Sequence, residues 1–142
     1  MKINFFITKL FLIFLFLTFN TNAAKPSYFL EAKKMFEKKD FEKSKFLFER
    51  DIVFNPKNEK SYLYLAKIFN EEKNDQEEEM NLNNVLLLNP ENDEALYMLI
   101  LIKIKQSDYE VVEKLLEQFT LVCKNFCSKE SEIKKKFEKL TP

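Results

Sequence analysis

Apolar residues recur along this chain at intervals of three and four, the spacing of a helix face, and not at the intervals of two expected of strands. Leu30, Ala32, Met35 and Phe36 predict a first helix over residues 28–38, with Ser27 as its cap. Asp40 then caps a second helix over 41–54, where Phe41, Leu47, Phe48 and Ile52 form the apolar stripe. Asn55-Pro56 ends it, because proline cannot continue the hydrogen-bond ladder and disfavours helix in the residue before it. The plan repeats: a helix over 61–72, a link through Lys73-Asn74, a helix over 75–88, and a stop at Asn89-Pro90. In the next stretch Tyr109, Val112, Leu116, Phe119 and Cys123 are spaced 3, 4, 3, 4, a core-facing stripe. Residues 95–102, just before it, are apolar on every face, so that helix is either buried all round or bound to something. Ser128 caps a last helix over 129–140, with Ile133, Phe137 and Leu140 on one side.

The segments are also copies of one another. Ser27-Tyr28 and Ala32-Lys33 recur 34 positions later as Ser61-Tyr62 and Ala66-Lys67, and Asn55-Pro56-Lys57-Asn58 recurs as Asn89-Pro90-Glu91-Asn92. A fixed period of that length marks stacked supersecondary units, each unable to bury its apolar face alone. The units run over about residues 25–58, 59–92 and 93–126, with a capping helix at 128–140 that offers the stack a polar outer face.

These residues resemble the tetratricopeptide repeat, a 34-residue unit written W-x₂-L-G-x₂-Y…A-x₃-F…P. The second unit reads Tyr62-x₂-Leu65-Ala66-x₂-Phe69, then Glu78-x₃-Leu82, then Pro90. The first reads Tyr28-x₂-Glu31-Ala32-x₂-Met35, then Ser44-x₃-Phe48, then Pro56. The third is worn but in register, with Leu96-x₂-Leu99-Ile100, Val112-x₃-Leu116, and Lys124 in place of proline. Alanine replaces the family glycine in the first two units, and Glu78 stands where a small residue should pack.

The resemblance implies an all-α, right-handed superhelical stack of three helix pairs, whose first helices line a concave face that holds a peptide or a helix of another protein. The family's groove positions fall on Phe29, Lys33 and Phe36, on Leu63, Tyr64, Lys67 and Asn70, and on Tyr97, Leu101 and Ile104. Anchors mixed with two lysines suit a segment that carries some negative charge. The chaperone-binding branch of the family holds a C-terminal carboxylate with lysines and asparagines; Phe29 replaces the lysine of the first unit, so that ligand is not expected. The competing reading is that Phe29, Leu63 and Ile104 are partly covered by neighbouring helices and nothing specific binds.

Composition narrows the chemistry. Sixteen phenylalanines accompany no glycine, no tryptophan and no histidine. Without glycine the chain has no easy source of positive φ, which disfavours tight hairpins and phosphate-cradling loops. Without histidine it lacks the usual general base and the commonest metal ligand. No carboxylate pair is spaced as acid and base, so we expect a non-enzyme with no catalytic residue, cofactor or metal. Glu77, Glu78 and Glu79 point three ways from the first turn of their helix and read as a solvated, dipole-matched turn in preference to a cation site. Lys134, Lys135 and Lys136 read as a solvated outer face in preference to an anionic docking patch. Lysine plus arginine equal aspartate plus glutamate at 23 each, so no overall field draws nucleic acid.

Residues 1–23 carry Lys2 and Lys9, an apolar run over 10–19, and Thr21-Asn22-Ala23, the layout of a secretory signal peptide cut after Ala23. The alternative is a retained anchor, for which the run is short. Loss of the two lysines leaves 21 basic against 23 acidic residues, a net charge of −2. The expected location is periplasmic or secreted, with no membrane span after cleavage. There Cys123 and Cys127, the only thiols, are expected to bridge. Four residues apart on a regular helix their Cβ atoms are too distant, so the helix must tighten or break between Cys123 and Ser128. A redox dithiol lacks the C-x-x-C spacing, and two thiolates leave a metal's coordination unfinished. Three functional readings follow: an exported adaptor that binds a protein segment in its groove, a structural subunit that self-associates or joins a cell-envelope assembly through residues 95–102, and a thiol-disulfide protein.

Overall fold

A computed structural model describes residues 27–139. The expected signal segment and Leu140 lie outside those residues. Among the described residues seven α-helices follow one another: α1 (Tyr28–Glu37), α2 (Phe41–Phe54), α3 (Glu59–Glu71), α4 (Asp75–Leu88), α5 (Asp93–Lys105), α6 (Tyr109–Val122) and α7 (Glu130–Glu138). A 3₁₀ turn at Cys127–Lys129 precedes α7, and there is no strand among the described residues. The described helices include none long and apolar enough to cross a membrane. The bounds of α2 and α4 are those the periodicity predicts. Three ends differ. Ser27 makes no side-chain cap bond, α3 starts two residues early at Glu59, and the 3₁₀ turn takes the place of a Ser128 cap, so α7 starts at Glu130.

The two helices of each pair are joined by the same turn. Lys39, Lys73 and Ser107 have φ of 61°, 56° and 59°, and they stand 34 residues apart. In the first turn the Lys39 N–H donates to Phe36 O at 2.9 Å, and the Asp40 N–H donates to Met35 O at 3.0 Å. The second repeats this with Lys73 to Asn70 and Asn74 to Phe69, and the third with Ser107 to Ile104 and Asp108 to Lys103. This is the Schellman pattern, which usually puts glycine at the left-handed position. Glycine being absent, lysine or serine is held there at a cost of about 1–2 kcal/mol per site. Positive φ is thus reached three times without the residue that reaches it freely.

Between pairs, the corners at Pro56 and Pro90 match, with Asn58 N–H donating to Asn55 O and Asn92 N–H to Asn89 O. Their interiors differ. In the first corner the buried Asp51 carboxylate accepts from Ser61 Oγ at 2.6 Å, Asn58 Nδ2 at 2.7 Å and Asn55 Nδ2 at 3.0 Å. Thirty-four residues on, Val85 and Ala95 replace Asp51 and Ser61, and both are fully buried. The asparagines there turn to the backbone instead: Asn92 Oδ1 accepts from Ala95 N and Asn89 Oδ1 from Glu91 N. Asn58, spent on Asp51, makes no such cap bond to α3. The third corner has no proline. Buried Asp93 occupies it, and its Oδ2 accepts from the backbone N–H groups of Lys124, Asn125 and Phe126 at 2.7, 2.6 and 3.0 Å. Burial pushes the Asp93 carboxyl up, but these bonds and one from Glu94 N–H more than reverse this and hold it below the usual range. The chain leaves helix at Cys123 (ψ 138°), which lets the Cys123–Cys127 disulfide close at a Cα–Cα distance of 5.2 Å.

The core runs through the stack as a chain of clusters. Ala32, Leu47, Phe48, Leu65 and Ile68 join the first pair to α3. Ser44, at the small-residue position of α2, donates its hydroxyl to Ala32 O at 2.9 Å and locks that pair. The all-round apolar character of residues 95–102 has a structural cause. Ala95, Leu99 and Ile102 pack with Leu63, Ala66, Leu82 and Val85 on one side. Leu96 and Ile100 pack with Val112, Phe119 and Ile133 on the other. The helix is an internal wall, so these faces are not free for self-association.

Two outcomes check this account. Lys73→Gly should stabilise by about 1 kcal/mol by relieving the left-handed lysine, read as a Tm rise of about 4 °C; a drop in Tm would contradict it. Asp51→Val should cost about 2–4 kcal/mol because it strands Ser61 Oγ and the amide donors. Adding Ser61→Ala, which copies the second corner, should return about 1–3 kcal/mol of that in denaturant melts; strict additivity would show that the two corners are not alternatives.

Candidate functional site: a groove along the first helices

The first helices of the three pairs, α1, α3 and α5, border a cavity of about 460 Å³. Phe36 comes from α1, Lys67, Asn70 and Glu71 from α3, and Glu94, Tyr97, Met98, Leu101, Ile102 and Lys105 from α5. Asp75 and Glu78 reach it from the start of α4. α5 thus supplies the apolar wall through Leu101 and through Tyr97, Met98 and Ile102, which also pack against the core.

Five expected groove residues line this cavity: Phe36, Lys67, Asn70, Tyr97 and Leu101. The other five border different space. Phe29 and Tyr64 belong to an aromatic cluster, with ring centroids 5.9 Å apart and Tyr64 stacked on Phe48 at 5.0 Å. Leu63 is buried between the second and third pairs, Ile104 packs against the last core cluster, and Lys33 lies 3.8 Å from Glu37. Leu63 is thus buried, and Phe29 and Ile104 are partly covered by neighbouring helices.

The charges of the groove are not those a count of its lysines suggests. Lys67 pairs with Glu94 at 2.9 Å and Lys105 with Asp75 Oδ1 at 2.7 Å. Glu71 and Glu78 remain, so the lining carries two more carboxylates than lysines. The three glutamates of α4 do diverge, but they are not uniformly solvated. Glu79 accepts from Lys103 at 2.6 Å and Gln106 at 2.8 Å, and these bonds hold its carboxyl below the ordinary value although burial opposes them. Glu78 is 2% exposed and receives only the Asn70 amide, at 3.1 Å to each oxygen. Burial pushes its carboxyl above the ordinary value, the Asn70 bond opposes this, and Asp75 adds to the rise while Lys105 lowers it. Sequence reasoning missed this pair because Asn70 and Glu78 sit on different helices; the departure from a small residue at position 78 was the available signal.

The outward faces of the second helices carry a different feature. Val53, Leu87 and Leu121, 34 residues apart on α2, α4 and α6, are 77%, 81% and 84% exposed. Phe46 and Met80, two turns earlier on α2 and α4, are also exposed.

No protein-family model matches the sequence, and comparison with curated proteins finds no match. Solved structures do resemble it. The first TPR of Spaghetti (RPAP3), bound to the HSP90 peptide SRMEEVD, superposes with a TM-score of 0.68 at 16% identity, over 78% of this chain and 87% of that one. The TPR2B domain of yeast Sti1, from its pHsp70 complex, gives 0.65 at 20% identity, over 80% and 92%. The Sgt2 TPR domain from Aspergillus fumigatus gives 0.64 at 16%, over 84% and 80%. With three helix pairs joined by matching turns, a groove on the first helices and these likenesses, the chain has the all-α fold of a tetratricopeptide-repeat domain.

Proposed function

We propose that this protein is an exported, non-enzymatic adaptor that holds a segment of another protein in the groove of α1, α3 and α5. One observation carries the reading. Tyr97, Met98 and Leu101 of a helix otherwise buried in the core are left facing a cavity bordered by all three pairs. Aromatic and aliphatic anchors in a concave, polar-rimmed site are what peptide recognition uses. The RPAP3 domains of this fold are seen bound to peptides of HSP90 and HSP70, which supports the same use of the groove here. Export rests on the signal-like sequence of residues 1–23 and is supported by the Cys123–Cys127 disulfide, which suits an oxidising compartment.

A second reading, a subunit that associates through its outer face, is favoured by the repeating row Val53, Leu87 and Leu121. Apolar side chains so exposed at one register of every repeat form a line that a partner surface can cover.

Selection of a random displayed-peptide library on the immobilised protein tests the adaptor reading. Recovered peptides should lose at least about tenfold in affinity to Tyr97→Ala or Leu101→Glu, with helicity unchanged; equal binding to those variants would remove the groove from the function. For the outer face, sedimentation should show an oligomer that Leu87→Glu with Leu121→Glu converts to monomer. A wild-type protein that stays monomeric at high concentration would dismiss that reading.

A further inference from the structure

The groove as described has a chemical preference. Each of its lysines already bonds a carboxylate, Lys67 to Glu94 and Lys105 to Asp75, so an anionic ligand would have to compete with Glu94 and Asp75 for them. Glu71 is exposed on the rim, and Glu78 is buried with a neutral amide as its one hydrogen-bond donor. A buried carboxylate is normally matched by a cation or several donors, and one held by a single amide is destabilising for the fold. The position is one where the repeat pattern has a small residue, so the fold itself does not ask for an acid there. A feature that weakens the fold and borders the cavity is the kind a binding site retains. The rings of Phe36 and Tyr97 line the same cavity, and aromatic faces attract cations as carboxylates do.

We infer that the groove takes a cationic segment of a protein partner, one that seats an apolar side chain against Tyr97 and Leu101 and presents arginine or lysine to Glu71 and Glu78. Arginine fits better than lysine, since its planar fork can bond a carboxylate twice and stack on an aromatic ring. The inference rests on the adaptor reading and adds the sign of the ligand's charge.

Three labelled synthetic peptides of one length test it: leucine alternating with arginine, with glutamate, and with serine. Fluorescence anisotropy should show the arginine peptide binding at least about tenfold tighter than the serine peptide, weakening as salt rises, and the glutamate peptide weakest. Glu71→Gln with Glu78→Gln should bring the arginine peptide down to the level of the serine peptide. Glu78→Gln alone should raise Tm near neutral pH, so the lost binding could not be put down to a damaged fold. Preference for the glutamate peptide, or an arginine affinity indifferent to the double change, would overturn the inference. If serine and glutamate peptides bind and Tyr97→Ala releases them, the groove stands and only its charge preference falls. Indifference of all three to Tyr97→Ala would remove both. A salt-sensitive dimer of the protein alone, with the lysines of α7 seated in the groove, would also overturn a separate partner.

Discussion

The structure depends on a turn that this sequence is poorly supplied to make. Each helix pair closes only if one residue adopts left-handed backbone, and Lys39, Lys73 and Ser107 do so without a glycine anywhere in the chain. The strain is tolerated because two backbone bonds fix each turn and buried residues such as Ala32 and Ala66 let the paired helices approach closely. Repetition of that turn at a constant interval aligns α1, α3 and α5 along one side, and so produces the groove.

Corners between pairs are solved in three ways by one chain. The first uses a buried carboxylate with hydroxyl and amide donors, the second replaces carboxylate and hydroxyl with valine and alanine, and the third has Asp93 gather three backbone N–H groups. Satisfied polar networks and apolar packing are close in free energy when each is complete, whereas a mixture strands a donor or an acid. That explains why residues 51 and 61 differ from 85 and 95 together. The third solution, with the Cys123–Cys127 link beside it, positions the capping helix α7 where no proline punctuates the chain.

Much of this was legible from spacing alone. The 34-residue period located the helix pairs, Asn-Pro located two corners, and the break required by the cysteine spacing occurs at Cys123. What was not legible is tertiary. Ser27 and Ser128 are good capping residues that make no cap bond. The partners of Asp51, Asp93 and Glu78 lie on other helices or beyond a corner, where no local pattern announces them. Of the five expected groove residues that do not border the cavity, Phe29, Leu63, Tyr64 and Ile104 are drawn inward by packing against neighbouring helices, and Lys33 lies against Glu37 along its own helix. The acidic balance of the lining was not legible for a related reason: counting lysines says nothing of the carboxylates bonded to them.

The central feature is a groove walled in part by a buried helix and left with two carboxylates, Glu71 and Glu78, that no lysine bonds. An amide NMR titration of residues 24–142 with the arginine-leucine peptide tests it most directly. The account predicts shifts grouped at Phe36, Lys67, Asn70, Glu71, Glu78 and Tyr97, and little change at Val53, Leu87 and Leu121. Shifts confined to that outer row, or none at saturating peptide, would contradict it.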